Sequence, residues 1–409
     1  MVTQQARGSA ILYQNTDRTV FLMDIPASLA LAQMTHISND VTTVSSGVRP
    51  LSRTPPEEPY RSVEPRLGKD AEISEEQLEA EGYVCLLEYA LEQIRSGRAD
   101  LENPIWCEPR RAWNVEAKKR QEMRYQTIAS DLSVSRSWSA SNPRVLLEGS
   151  ISIQCINEIQ GLLICNGHSS QTRLHVNSLN ADFHIPPFSN FCLSSINDAT
   201  APGLSMSALQ TAASGQFDVI IIDPPWPNRS VRRSQQYQTL QYDNNPLDTI
   251  QQMLGQHIAP DGFVACWITN KDSVRETTLE MFRCWNLVLF EEWVWLKVTT
   301  AGEPVTQLDG RWRKPYERLL VGRSPPERVG HGSSLTESIE RHTRRVVVAV
   351  PDLHSRKPNL KGLVEMLLIP ERTEYRGLEV FARNLTAHWW AWGDEVLIYN
   401  DAQAWYQVE

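Results

Sequence analysis

Residues 217–226 read FDVIIIDPPW, and a basic loop, NRSVRR, follows at 228–233. The apolar run Val219, Ile220, Ile221 and Ile222 has the form of a buried strand that delivers the Asp223 carboxylate at its end. Pro224 and Pro225 fix φ and carry no N–H, so the turn presents oxygen acceptors without competing donors. Trp226 adds a flat apolar wall. The complement of such a pocket is a planar heterocycle with an exocyclic amine. Adenine N6 carries two hydrogens, and two acceptors that bind both leave its lone pair free to attack a methyl sulfonium, by positioning and electrostatics alone. The plain alternative is an Asp-Pro turn followed by a packing Trp. The surroundings decide between the two.

From about residue 186, strands alternate with helical stretches, which predicts an α/β domain with a mostly parallel sheet. Strands are expected at 217–222, 263–268, 288–297, 318–322, 346–350, 378–382 and 395–399, and helices at 247–257, 271–283 and 358–368. Ligands of such sheets sit beyond the carboxyl ends of the strands, where Asp223 falls. Upstream, 10–32 suggests a strand or two and a short apolar segment. Residues 37–70 read as a loop-rich or disordered linker. A helix is expected from Ser74, with Gln77 at capping-box spacing, to Ser96, with Tyr83, Leu86 and Tyr89 turned to the core. Residues 100–145 read as a polar linker, short β-rich runs follow Pro143, and 324–345 reads as a mobile loop.

A chain of 409 residues can hold two or three domains. Its net charge of −9 argues against bulk electrostatic capture of nucleic acid. Of three local basic patches, only Arg229, Arg232 and Arg233 adjoin the chemical centre. The acidic stretch 55–82, with nine acids against three bases, would repel phosphate. Seven scattered cysteines without a C-x-x-C pair speak against a zinc site or a disulfide framework and fit a reducing compartment. No apolar run reaches membrane-spanning length, and the N-terminus lacks the apolar core of a secretory signal. No G-x-G-x-x-G loop is found.

The tetrad and its surroundings resemble the DPPW-type adenine-N6 methyltransferases, in particular the methyltransferase-like protein 4 branch. Further similar blocks, in the same order, are IPPFSNFCLSSI (185–196), EEWVWLKVT (291–299), KPYERLLVGR (314–323), LHSRKP (353–358) and EVFARNLTAHWWAWGDEVL (379–397). The resemblance covers residues 185–400 and implies a Rossmann-like methyltransferase domain in permuted order, with the DPPW strand ahead of the cofactor strand. The implied division is an accessory region at 1–140 and a methyltransferase domain at 141–409.

By the same resemblance S-adenosylmethionine is the donor and no metal takes part. Asp223 and the Pro224 carbonyl receive the target amine, Pro225 stiffens the turn, and Trp226 faces the base. The cofactor is contacted by Asp223, by Lys357 at its methionine carboxylate, by Arg383 and Asn384 at its ribose, and by Asp394 at its adenine. Asn228, Ser230, Arg232, Arg233, Tyr237 and Glu317 contact the substrate. Two departures stand out: Asp394 replaces the usual asparagine, and Thr386-Ala387-His388-Trp389 replaces a Gln-Pro-Gly-Trp-like turn.

The expected acceptor is adenosine or 2′-O-methyladenosine in small nuclear RNA. Adenine in DNA is the alternative substrate, and a catalytically silent binding or scaffold subunit the alternative class. The intact tetrad together with Lys357, Arg383 and Asn384 favours the enzyme. The basic loop and the DPPW form disfavour methylation of a protein or small molecule. RNA is preferred over DNA. A nuclear, secondarily cytoplasmic, monomer is expected, with no membrane association and with the N-terminal region available to a protein partner.

Overall fold

The computed structural model describes residues 10–34, 47–61, 75–132, 144–196, 215–226, 246–310, 313–325 and 342–408. In chain order the first strands are β1 (Ile11–Gln14), β2 (Val20–Met23), β3 (Val48–Pro50), β4 (Arg144–Leu146), β5 (Ile151–Ile153) and β6 (Leu163–Cys165). They are followed by β7 (Thr172–Val176), β8 (Ala181–Ile185), β9 (Asn190–Leu193), β10 (Phe217–Ile222), β11 (Ile258–Ile268) and β12 (Val288–Lys297). The last are β13 (Tyr316–Arg323), β14 (Thr343–Ala349), β15 (Gly377–Val380), β16 (Trp389–Gly393) and β17 (Trp405–Gln407). The helices are α1 (Ile25–Ala32), α2 (Glu75–Ser96), α3 (Val115–Leu132), α4 (Pro246–Leu254), α5 (Asp272–Cys284) and α6 (Lys361–Leu367).

Twelve of the described strands form one sheet, in the order β1-β2-β14-β12-β13-β11-β10-β15-β16-β9-β6-β4. Its middle is parallel: β11, β10, β15, β16 and β9 all run the same way. β10 is apolar on both faces because both are covered. Ile220 and Ile222 join a core with α4 and α5 residues Leu254, Met281 and Phe282, whereas Val219 and Ile221 join one with α1 and α6 residues Ile25, Leu29 and Leu363. The chain leaves β10 toward β11 on one side and finds β15 on the other. That makes the carboxyl end of β10 a topological switch point, the position at which such sheets open a crevice.

Three expectations are corrected. Residues 395–399 form turns rather than a strand. The chain turns at Gly393, whose φ of +155° and close approach to Phe381 leave no room for a Cβ, and the partner of β15 is instead 389–393. The polar stretch 100–145 contains α3, held by Gln121, Tyr125, Ile128 and Leu132, a helical spacing that its surplus of charged residues obscures. Tyr89 is 52% exposed, since six residues from Tyr83 places it off the buried stripe of Leu87, Leu91 and Ile94.

β1 and β2 join the main sheet: β2 pairs in parallel with β14, Val20 beside Val346. Further on, the N-terminal segment grips the loop after β14. The Arg53 N–H donates to Asp352 at 3.1 Å, and Arg356 Nη1 donates to the Leu51 carbonyl at 2.9 Å and to Asp352 at 2.8 Å. The Arg356 guanidinium lies 4.3 Å over the Tyr399 ring.

α2 docks through a buried charge. Glu292 of β12 is fully buried and accepts from the Tyr83 hydroxyl at 2.6 Å, with His342 and Arg344 at 3.4 and 3.3 Å from its other oxygen. Burial would raise its pKa, but hydrogen bonds from His342 and Tyr83 and the charges of Arg318 and Arg344 bring it down to about 2. A depressed carboxyl stabilises the fold above its ordinary value of 4.5 and loses that contribution as the pH falls through about 2. Glu292→Gln is therefore expected to flatten the loss of stability between pH 4.5 and 2. At neutral pH it should lower stability in urea denaturation by about 3 kcal/mol, because buried Arg318 loses its carboxylate and the Tyr83 hydroxyl its ionised acceptor.

Candidate active site

Asp223 is the first residue beyond β10, held there by its N–H, which donates to the Val380 carbonyl of β15 at 3.3 Å. Pro224 is buried and Pro225 exposed, so the turn leads out of the sheet within two residues. The Trp226 N–H donates to the Pro224 carbonyl at 2.8 Å, which leaves that carbonyl one lone pair for a ligand. The Trp226 indole N–H donates to the Trp267 carbonyl at 2.7 Å, at the end of β11. The ring is thereby fixed beside the carboxylate.

Lys357 comes from the segment after β14. Its ammonium stands 3.2 Å from Asp223 Oδ1 and 2.9 Å from Glu317 Oε2, and lies 5.2 Å over the Trp267 ring. Lys297 contacts the other oxygen of Glu317. Burial alone would make Lys357 easier to deprotonate, but Asp223 and Glu317 outweigh it and raise its pKa. Burial would likewise raise Glu317, yet Lys357 and Lys297 hold it well below the usual carboxylate range. Arg383, just past β15, donates from Nε to Glu395 at 2.7 Å and from Nη1 to the Ser355 carbonyl at 3.2 Å, and lies 4.0 Å from Asp223 Oδ2.

An open crevice lies at the switch point, the place at which such sheets bind ligands. It gathers Asp223, Lys357, Arg383 and Asn384 from distant blocks of the sequence. Asn384 is 8% exposed, with its amide 3.5 Å from both the Leu385 carbonyl and Thr386 Oγ1. Glu317 adjoins the cavity through Lys357. Asp394 is not among the lining residues; burial, then the charge of Glu395, pushes it up to about 6. Asn228, Ser230, Arg232, Arg233 and Tyr237 lie outside the described residues.

The wall also holds residues that the sequence reading passed over, among them Trp267, Glu379, Phe381 and Tyr399. Glu379 sits half-buried on β15, and its carboxyl makes no side-chain hydrogen bond among the described residues. Burial, then the Asp223 charge, pushes it up to about 8. The signal was present as a lone acid in an otherwise apolar strand, LEVFA, four residues ahead of Arg383. A carboxyl without a side-chain partner, a guanidinium and aromatic walls suit, by their chemistry, a ligand with vicinal hydroxyls and a flat ring, such as an adenosyl group.

Residues 217–395 match the MT-A70 family model. The chain is 32% identical over 403 residues to the N6-methyladenosine RNA methyltransferase MTA1 of Cryphonectria parasitica, across 97% of this chain and 94% of that one. MTA1 of Pyricularia oryzae is 30% identical over 422 residues, across 98% and 97%. The human N(6)-adenine-specific methyltransferase METTL4 is 35% identical over 255 residues, across 61% of this chain and 50% of its own. Fold and site together define a Rossmann-like methyltransferase. The chain belongs to the MT-A70 family, whose methyltransferases use S-adenosylmethionine.

The raised Glu379 carboxyl carries its own sign. A carboxyl that binds its proton more tightly when folded stabilises the protein below its ordinary value of 4.5, and that contribution is lost as the pH rises through about 8. In ligand-free protein, Glu379→Gln should melt with a pH dependence that diverges from the wild type between pH 4.5 and 8, the variant being the more stable at the alkaline end.

Proposed function

We propose that the protein transfers the methyl group of S-adenosylmethionine to N6 of adenine in nucleic acid, with RNA as the substrate class and 2′-O-methyladenosine of small nuclear RNA as the acceptor. The observation that carries the reading is the Asp223 carboxylate on an acceptor-rich proline turn, opening into the cavity beside Lys357. The names of both MTA1 relatives support RNA. The small-nuclear-RNA acceptor, with the nuclear location that goes with it, rests on the resemblance of the sequence blocks to the METTL4 branch. DNA is the second reading, favoured by the DNA N6-methyl methyltransferase of Caenorhabditis elegans, which is 33% identical over 211 residues.

When bound, the donor supplies an electrophilic methyl on a sulfonium sulfur. Glu379, Arg383 and Asn384 are placed to hold its hydroxyl-bearing part, with Phe381 and Tyr399 as walls. Asp223 and the remaining Pro224 lone pair accept the two N6 hydrogens, which turns the nitrogen lone pair toward the methyl. As the N–C bond forms and the methyl leaves sulfur with its bonding pair kept by the neutral thioether, positive charge would develop on N6, and the Asp223 carboxylate would stabilise it and take the leaving proton. Lys357 balances Asp223 and Glu317 in the resting site, so neither carboxylate is buried uncompensated. The Trp226 indole covers the base.

The test incubates purified protein and S-adenosylmethionine with matched oligonucleotides: RNA with adenosine, RNA with 2′-O-methyladenosine, single-stranded DNA and duplex DNA. Digested nucleosides are read by mass spectrometry. N6-methylation of the 2′-O-methyl RNA is expected, with kcat down about 10²–10³-fold in Asp223→Ala and donor binding by calorimetry retained. Lys357→Ala should weaken both. Methylation of the DNA strands alone would move the substrate to DNA, and donor binding with no product on any strand would move the protein to the silent class.

A further inference from the structure

The register of the sheet places a second charged centre beside Asp223. Ile222 pairs with Cys266, Ile268 with Arg318, and Glu317 with Trp295. Side chains alternate along strands, and Ile221, Trp267, Leu319 and Trp295 share one core. Asp223, Glu317 and Lys297 each lie two residues from a member of that set, or opposite one, and so stand on the same face at the same end of the sheet. There they form a line of alternating charge, Lys297–Glu317–Lys357–Asp223.

The mechanism above uses the last two members and leaves Lys297 without a task. Lys297 is 26% exposed, its ammonium lies 4.6 Å over the Trp295 ring, and it takes Glu317 Oε1. Lysine is a point charge on a flexible four-carbon stem, so its position is set by the oxygens open to it. With Lys297 on Oε1, Lys357 holds Oε2 at 2.9 Å while reaching Asp223 at 3.2 Å.

We propose that Lys297 is a positioning residue for methyl transfer: by occupying Oε1 it keeps the Glu317 carboxylate turned to Lys357, and through Lys357 it sets the position of the Asp223 carboxylate that receives the amine. This rests on the reading of Asp223 as the amine-holding group. The charged and titratable groups facing Glu317 agree in sign. The cations are Lys297 from β12 and Lys357 from the segment after β14; His354 of that segment is held neutral by burial and by the charge of Arg383, which also faces Lys357. Loss of Lys297 leaves Glu317 a single ammonium, which draws Lys357 away from Asp223 and makes Glu317 easier to protonate.

Lys297→Met keeps the apolar stem and removes the charge, and Lys297→Arg restores it. In the oligonucleotide assay, Lys297→Met should lower kcat by roughly 10- to 100-fold, the scale of a small misplacement of reacting groups. Both KM values should stay within about threefold, and the acid limb of the pH–rate profile should move to higher pH. Lys297→Arg should recover most of the rate and the profile. Two results would overturn the proposal. One is an unchanged kcat with a salt-dependent rise in KM for the oligonucleotide, the mark of a phosphate contact. The other is a rate loss with an unmoved pH profile and a lower Tm, the mark of packing alone. A second readout is independent of turnover. The Lys357 ammonium ¹⁵N resonance in substrate-free protein should shift in Lys297→Met and return in Lys297→Arg. An unmoved resonance rejects the positioning role, whereas a moved one in a protein inactive on every strand rejects the acceptor reading instead.

Discussion

One ammonium shared by two carboxylates is the constraint around which this molecule is built. Removing ions from water costs several kcal/mol each, and only close, well-directed partners offset that cost. Lys357 lies on a loop, where nothing regular in the backbone fixes it. Its position is secured from outside. Arg356 is buried and tied to Asp352 and to the Leu51 carbonyl, the Ser355 carbonyl is held by Arg383, and the Asn359 N–H donates to Ser28 at the start of the chain. Segments far apart in sequence converge on five consecutive residues. The site is thus a property of the whole described fold rather than of the tetrad.

The cavity is divided by charge. On the acceptor side, Asp223 and Glu317 are balanced by Lys357 and Lys297 and lie in line. On the neighbouring strand β15, Glu379 sits in surroundings that favour its protonated form at neutral pH, and just beyond it Arg383 is engaged to Glu395. A protonated carboxyl can both donate and accept, whereas a carboxylate paired to an ammonium only accepts.

Much of this was legible in the sequence, for reasons particular to each element. The run FDVIIID announced a doubly buried strand ending on a carboxylate, and the sheet places it centrally. Lys357, Arg383 and Asn384 were legible because they stand in blocks resembling a family, and they line one cavity. Glu379 was not, since an acid within a short strand reads as an exception until its neighbours are known. α3 was hidden by charged residues that crowd a sparse buried stripe, and EVLIY mimicked a strand because apolar residues pack as well in turns. Lys297 could not be read at all: its meaning depends on a pairing of β12 with β13 that no local pattern encodes.

The pairing of β2 with β14 has a consequence for how the molecule is made. Val20 and Val346 are neighbours in space, so β2 waits for the long intervening chain to be synthesised before it finds its partner. Closing so long a loop is entropically costly and makes such contacts late in folding. Meanwhile VFLMDIPASLALA, nearly all of it buried in the finished protein, stays in contact with water or with a chaperone. Until that docking, β14 is itself a bare parallel edge, open to strands of other chains. The sheet is therefore most exposed to aggregation while β14 still waits for β2.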